Sequence, residues 1–171
     1  HLEEVGYDTY CRILDEVLKE EQGLKVEEDI NCQIDLNVTS YIPDSYIKDQ
    51  NQKIEIYQDI ALCKNEEDIS NIIDEIIDRF GNMPDEIENL LEISRIKQLA
   101  KKKNLIKIQS RKNSIVFTYE SNKFDNTSLS DIIEKYGNRI QFSSGLKPMI
   151  TLKLEKQGEK GILQEVKEFL K

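Results

Sequence analysis

The stretch Glu66–Pro84, EEDISNIIDEIIDRFGNMP, decides how the first half of the chain is read. Ile69, Ile72, Ile73, Ile76, Ile77 and Phe80 recur at three- and four-residue spacing, while Glu67, Asp68, Asn71, Asp74, Glu75 and Asp78 fall on the opposite side. That pattern predicts an amphipathic helix over 66–80. Gly81 fits the left-handed position that ends a helix, and Pro84 fits the first helical position of the next, with Asp85 and Glu86 beside the positive end of its dipole. Leu90, Leu91, Ile96 and Leu99 carry the second helix to Lys101-Lys102-Lys103, whose charge suits a carboxyl end.

The same periodicity extends in both directions. Ile54, Tyr57, Ile60 and Ala61 predict a helix from Asp49 to Cys63, broken at Asn65. Before it, Ile34, Leu36 and Val38 alternate with Asp35, Asn37 and Thr39, a half-buried strand running to about Ile42 and ended by Pro43. Tyr7, Tyr10, Cys11, Leu14, Val17 and Leu18 predict a first helix over 7–22, stopped by Gly23. Beyond Asn104 the texture changes. Residues 105–108 and 115–119 read as strands joined by a turn at Arg111-Lys112-Asn113. A helix over 127–136 capped by Thr127 or Ser128, strands near 140–142 and 149–154, and a helix over 160–170 follow. The expected fold class is α+β: a mostly helical N-terminal subregion with one or two strands, packed on a C-terminal ββαββα-like subregion. The chain divides accordingly into a linking helix at 1–22, an acidic helical subregion at 23–104 and a basic α+β subregion at 105–171.

The charge is split the same way. Of a formal −9, residues 1–95 carry −17 and residues 96–171 carry +8, so the two parts suit different partners. Only seven glycines and three prolines in 171 residues exclude a collagenous or low-complexity chain. No apolar run approaches the roughly 18 residues of a membrane span. The start, His1-Leu2-Glu3-Glu4-Val5, has no basic or apolar secretory pattern, so a cytoplasmic location is expected. Cys11, Cys32 and Cys63 are odd in number and far apart, which fits reduced thiols and neither disulfides nor a zinc site.

Catalytic parts are scarce. The single histidine, His1, removes Ser-His-Asp and Cys-His arrangements, and no GxxxxGK[ST] or GxGxxG loop is present. No catalytic residue, metal site or cofactor is therefore assigned. Acidic pairs such as Glu66/Glu67 and Asp74/Glu75 lie opposite an apolar stripe, as on any solvated helix face. Lys97, Lys101, Lys102, Lys103, Lys107, Arg111 and Lys112 fall close together in sequence and offer an alternative function, contact with DNA phosphates. No stacking aromatic is interleaved with them before Phe117, which favours dipole capping and solubility. Tyr41 and Tyr46, either side of Pro43, are read as core-finishing aromatics.

Four motifs in series carry a resemblance: Gly6-Tyr7-Asp8-Thr9-Tyr10-Cys11, Tyr41-Ile42-Pro43-Asp44-Ser45-Tyr46-Ile47, Asn51-Gln52-Lys53-Ile54-Glu55-Ile56-Tyr57, and Asp78-Arg79-Phe80-Gly81 with Pro84 and Asn89-Leu90-Leu91. In order and spacing they resemble the C-terminal (TRCF) domain of the bacterial transcription-repair coupling factor family, Mfd. Lys53 stands where that family often has Arg, and Ser94 where Ala is common. The match is close over 1–105; beyond that, length and strand-helix order agree.

The resemblance implies that the chain is one domain of an ATP-driven DNA translocase of helicase superfamily 2, following directly on its motor. ATP and Mg²⁺ would belong to that motor and not to this chain, which is itself no enzyme. It further implies a role in nucleotide excision repair as an autoinhibitory lid. The lid packs within the same protein on the UvrB-homology module and competes with UvrA for it, while RNA polymerase and DNA are engaged through the rest of the protein. Glu75 and Asp78 match the family's acidic pair at that inter-domain contact; three apart on a helix, they suit bidentate pairing with arginine. Tyr7, Asp8, Tyr10, Pro43, Asp44, Tyr57, Arg79, Phe80, Gly81 and Pro84 match motif positions read as mainly architectural.

Overall fold

A computed structural model describes Cys11, residues 32–121, Phe124 and residues 126–171. Cys11 is helical and buried. The rest of the helix read over 7–22, its stop at Gly23 and the motif residues Tyr7, Asp8 and Tyr10 lie outside the described residues. The chain forms two compact units, one holding residues 38–98 and the other 32–37 with 99–171.

The first unit is helical. Helix α1 (Gln50–Ala61) starts at Asp49, whose side chain accepts the N–H of Gln52 at 3.0 Å. Helix α2 (Glu66–Phe80) starts at Asn65, which accepts the N–H of Asp68 at 2.9 Å, and the Asp68 carboxylate accepts from Lys64 N–H at 2.9 Å. Two donors at the helix start are thereby satisfied. On α2 Ile69, Ile72 and Ile76 are buried, but Ile77 is 43% exposed, so the apolar stripe is narrower than the spacing implied. With Ile56, Ile60, Ile87, Leu90 and Ile96, all fully buried, these residues form the core. Each such side chain contributes roughly 2 kcal/mol of burial.

Two turn positions differ in detail from the sequence reading. Gly81 has positive φ (+89°), but its ψ of −163° is the mirror-extended conformation and not the left-handed helical one. Pro84 precedes helix α3 (Asp85–Lys102) and does not occupy its first position; its carbonyl accepts from Ile87 and Glu88 at 3.1 and 3.2 Å. Arg95 of α3 pairs with Glu66 of α2 through Nε and Nη2 at 2.7–3.1 Å and also bonds Glu92. That network joins two helices within the unit.

The second unit is a five-stranded mixed sheet in the order β1-β2-β3-β5-β4, formed by β1 (Gln33–Asp35), β2 (Leu105–Arg111), β3 (Ser114–Tyr119), β4 (Ile140–Ser143) and β5 (Met149–Lys153). Among the described residues the β1–β2 pair is parallel and the other three pairs are antiparallel. Helices α4 (Asn126–Tyr136) and α5 (Gly158–Leu170) complete the expected ββαββα order. Phe169 of α5 stacks on Phe117 of β3 at 4.0 Å, over a core of Ile108, Ile115, Ile150 and Leu152. Thr127 and Ser128 lie inside the first turn of α4.

The strand read from Ile34 to Ile42 is the largest departure. It is three residues long and pairs with β2 in the sheet of the second unit, whereas alternation alone had placed it in the helical subregion. The ladder stops where Asn37 N–H donates to the Ser110 hydroxyl at 3.0 Å, and from Val38 onward the chain belongs to the first unit. The division between units falls inside α3, after Gln98, six residues before residue 104.

Candidate functional site

The polar face of α2 projects a row of exposed carboxylates, among them Glu66, Glu67, Asp74, Glu75 and Asp78. Glu75 accepts a hydrogen bond from Arg79 Nη1 at 3.1 Å, one turn along, and the same nitrogen lies 3.7 Å from Glu55 on α1. Oxygens of Glu55, Asp59 and Glu75 lie within 4.8 Å of one another. Burial, then the charges of Glu75 and Glu55, raise the Asp59 carboxyl above its ordinary value, and Arg79 partly offsets them. Two of these carboxylates, Glu55 and Glu75, thus share the Arg79 guanidinium, with Asp59 beside them. The spacing is compatible with a cation, but Arg79 already supplies positive charge there. Sequence reasoning missed this group because it needs α1 beside α2; Glu55 and Asp59, four apart, were the available signal.

Glu75 therefore has an in-chain arginine. Asp78 is exposed and enters no ion pair among the described residues. The Arg79 guanidinium also lies 4.9 Å from the Phe80 ring centre, and Phe80 is 6.0 Å from Tyr46, whose hydroxyl donates to the Gly81 carbonyl at 2.5 Å. Arg79, Phe80 and Gly81 thereby fix the end of the acidic helix.

The remaining motif residues brace the loop before α1. Tyr46 and Ile47 N–H groups donate to the Pro43 carbonyl at 3.0 and 3.1 Å, closing a turn. The buried Tyr57 hydroxyl accepts the N–H of fully buried Ile42 at 2.8 Å, and buried Lys53 pairs with exposed Asp44. Asn89 donates to the Thr39 carbonyl at 2.9 Å. The sequence spacing of these motifs is thus the spacing of a loop clamped to two helices.

The basic run is distributed over a helix, its end, a strand and a turn. Lys97 is half-buried in the first unit, while Lys101, Lys102 and Lys103 end α3. Lys107 is half-buried within β2, and Arg111 and Lys112 stand at the β2–β3 turn, where Lys112 has φ +43°. Seven strand residues separate the α3 end from that turn, about 20 Å at the rise of an extended chain.

One buried carboxylate in the second unit also escaped the sequence reading. Glu165, 5% exposed, accepts from Arg139 at 2.6 Å and from the backbone N–H groups of Glu155 and Lys156 at 3.0–3.2 Å, and so shapes the entry to α5. Nothing in its local sequence distinguishes it from the exposed glutamates around it.

A helical unit whose motif loop is clamped to an acidic helix, followed by a mixed sheet, defines a known domain class. The model of the TRCF domain family matches residues 36–129, and the chain belongs to that family. The relatives it resembles are transcription-repair-coupling factors: that of Rickettsia prowazekii (strain Madrid E) is 33% identical over 99% of this chain, and that of Bacillus subtilis (strain 168) is 32% identical over 81%. The chain spans 15% and 12% of the length of these two relatives. Among solved structures, a crystal structure of the C-terminal domain of transcription-repair coupling factor superposes with TM-score 0.73 at 26% identity, covering 81% of this chain and 89% of that one. The resemblance carried by the motifs of the first 105 residues therefore extends through the second unit.

Proposed function

We propose that this chain is the non-catalytic C-terminal regulatory domain of a transcription-coupled DNA repair translocase. It holds that protein autoinhibited by packing on its UvrB-homology module and masking the surface that takes UvrA. The observation that supports the reading is the acidic face of α2, where Asp78 is exposed and Glu75 shares Arg79 with Glu55. A lid must be releasable, so its contact is polar and of modest area, with charge giving specificity more than affinity. Arginine on the module would pair with Asp78 directly, and with Glu75 in competition with, or alongside, Arg79. No helix among the described residues is long and apolar enough to cross a membrane, in keeping with a cytoplasmic repair factor.

In this reading the chain supplies surface and the motor supplies chemistry: ATP, Mg²⁺, DNA and RNA polymerase are engaged by the rest of the protein. Competition tests it. Immobilised UvrB-homology module is loaded with UvrA, and this chain is added in excess. Displacement of UvrA supports masking; simultaneous retention of both proteins refutes it.

A further inference from the structure

Arg79, in the last turn of α2, reaches two carboxylates through one nitrogen. Its Nη1 donates to Glu75 at 3.1 Å and lies 3.7 Å from Glu55 of α1, while the guanidinium stands 4.9 Å from the Phe80 ring centre. Arg95 in the same unit shows the stronger arrangement, gripping Glu66 through Nε and Nη2 together. Glu55 and Glu75 are exposed, so water screens both contacts of Arg79 and each is weak. Negative charge is in excess here: oxygens of Glu55, Asp59 and Glu75 gather within 4.8 Å of one another, and the charges of Glu75 and Glu55 help to raise the Asp59 carboxyl in spite of Arg79.

Taking α2 as the contact with the UvrB-homology module, as proposed above, we infer that Arg79 is a built-in competitor for that contact: it holds Glu75 while the domain is free and moves onto Glu55 when an arginine of the partner takes Glu75. A partner guanidinium that grips Glu75 with two nitrogens needs both carboxylate oxygens, one of which Arg79 already engages, and two guanidinium groups on one carboxylate repel each other. Departure of Arg79 costs little, because Glu55 is already close to the same nitrogen and the Phe80 ring face holds the guanidinium during the exchange. One ion pair, Glu75 with Arg79, is replaced by two, Glu75 with the partner and Glu55 with Arg79. The competition keeps the grip of the domain weaker than its carboxylates alone would make it, and so keeps the contact releasable. If Arg79 instead orients Glu75 for the partner, its loss changes affinity in the opposite direction.

The test is calorimetric titration of the separately expressed module with variants of the chain, each checked for fold by circular dichroism. Arg79→Met, which keeps an unbranched stem and loses the charge, is expected to bind about threefold tighter, the worth of one exposed ion pair. Arg79→Lys restores the charge and is expected to bind like the natural chain. Lys48→Met removes a positive charge from an exposed position of the same unit outside α2, and is expected to change affinity less than about twofold. Glu55→Gln leaves Arg79 only Glu75, so it is expected to weaken binding about threefold, and to have no effect when Arg79 is already Met. If Arg79→Met does not fold, Glu55→Gln, at an exposed position, carries the test alone, and unchanged affinity overturns the inference. It is equally overturned by Arg79→Met binding as well as or more weakly than the natural chain, by Lys48→Met tightening as much as Arg79→Met, or by an equal effect of Glu55→Gln in both backgrounds. These results leave the lid reading standing; absence of binding by the natural chain, or binding indifferent to Glu75→Ala with Asp78→Ala, overturns both.

Discussion

Replacement of Tyr57 by Phe removes a buried hydroxyl that accepts a hydrogen bond from the motif loop. The Tyr57 hydroxyl accepts the N–H of Ile42 at 2.8 Å; Ile42 is fully buried and Tyr57 is 2% exposed. Removing one oxygen leaves the ring packing in place and strands a backbone donor where water does not reach. An unsatisfied buried donor costs about 1–3 kcal/mol, so we expect a loss of about 2 kcal/mol. For a chain of this size that lowers the thermal midpoint by roughly 4–8 °C. Urea denaturation followed by far-UV circular dichroism should show a lower midpoint with an unchanged slope. Tyr46→Phe is the control: its hydroxyl bonds the Gly81 carbonyl at an exposed site, where water substitutes, and the expected loss is under about 0.5 kcal/mol. Equal losses in the two variants would refute the reasoning, because burial would then have made no difference.

Three further outcomes follow from the first unit. Gly81→Val should destabilise by about 1–3 kcal/mol through backbone conformation alone, since Gly81 has φ +89° and a Cβ there would meet no atom within 4 Å; an unchanged melting temperature would contradict the turn. Asp59→Asn should stabilise the chain at neutral pH and not at low pH: a carboxyl raised in the folded state favours folding while protonated, and that advantage is lost as pH rises through its folded pKa, so the two urea midpoints should diverge with rising pH. Cys63, whose thiol burial and the charges of Asp68 and Asp59 push up to about 11, should resist alkylation at neutral pH until the chain unfolds, and modification as fast as a free thiol would contradict its buried setting.

What was legible in the sequence was set by local periodicity. The 66–80 helix declares itself because its apolar spacing, its Asn65 cap and its closing glycine agree with one another. The ββαββα order was legible for the same reason. The three-residue strand was overextended because alternation from Ile34 to Val38 carries no information about where pairing stops; that is decided by Ser110, far away in sequence, which takes the N–H of Asn37. Gly81 was recognisable as a positive-φ residue, but neither its ψ nor the bond its carbonyl accepts from Tyr46 was.

The candidate site was legible only in part. Glu75 and Asp78 stand on an exposed face, as their spacing indicated, but the commitment of Glu75 to Arg79 and the approach of Glu55 and Asp59 depend on how α1 packs beside α2.

The central claim is that α2 presents the contact by which this domain holds the UvrB-homology module. Isothermal titration calorimetry of the chain against the separately expressed module, natural sequence beside a Glu75→Ala, Asp78→Ala double variant, tests it most directly. We expect saturable binding that the double variant weakens at least about tenfold, with the variant's fold intact by circular dichroism. Equal affinity for the two chains would contradict it.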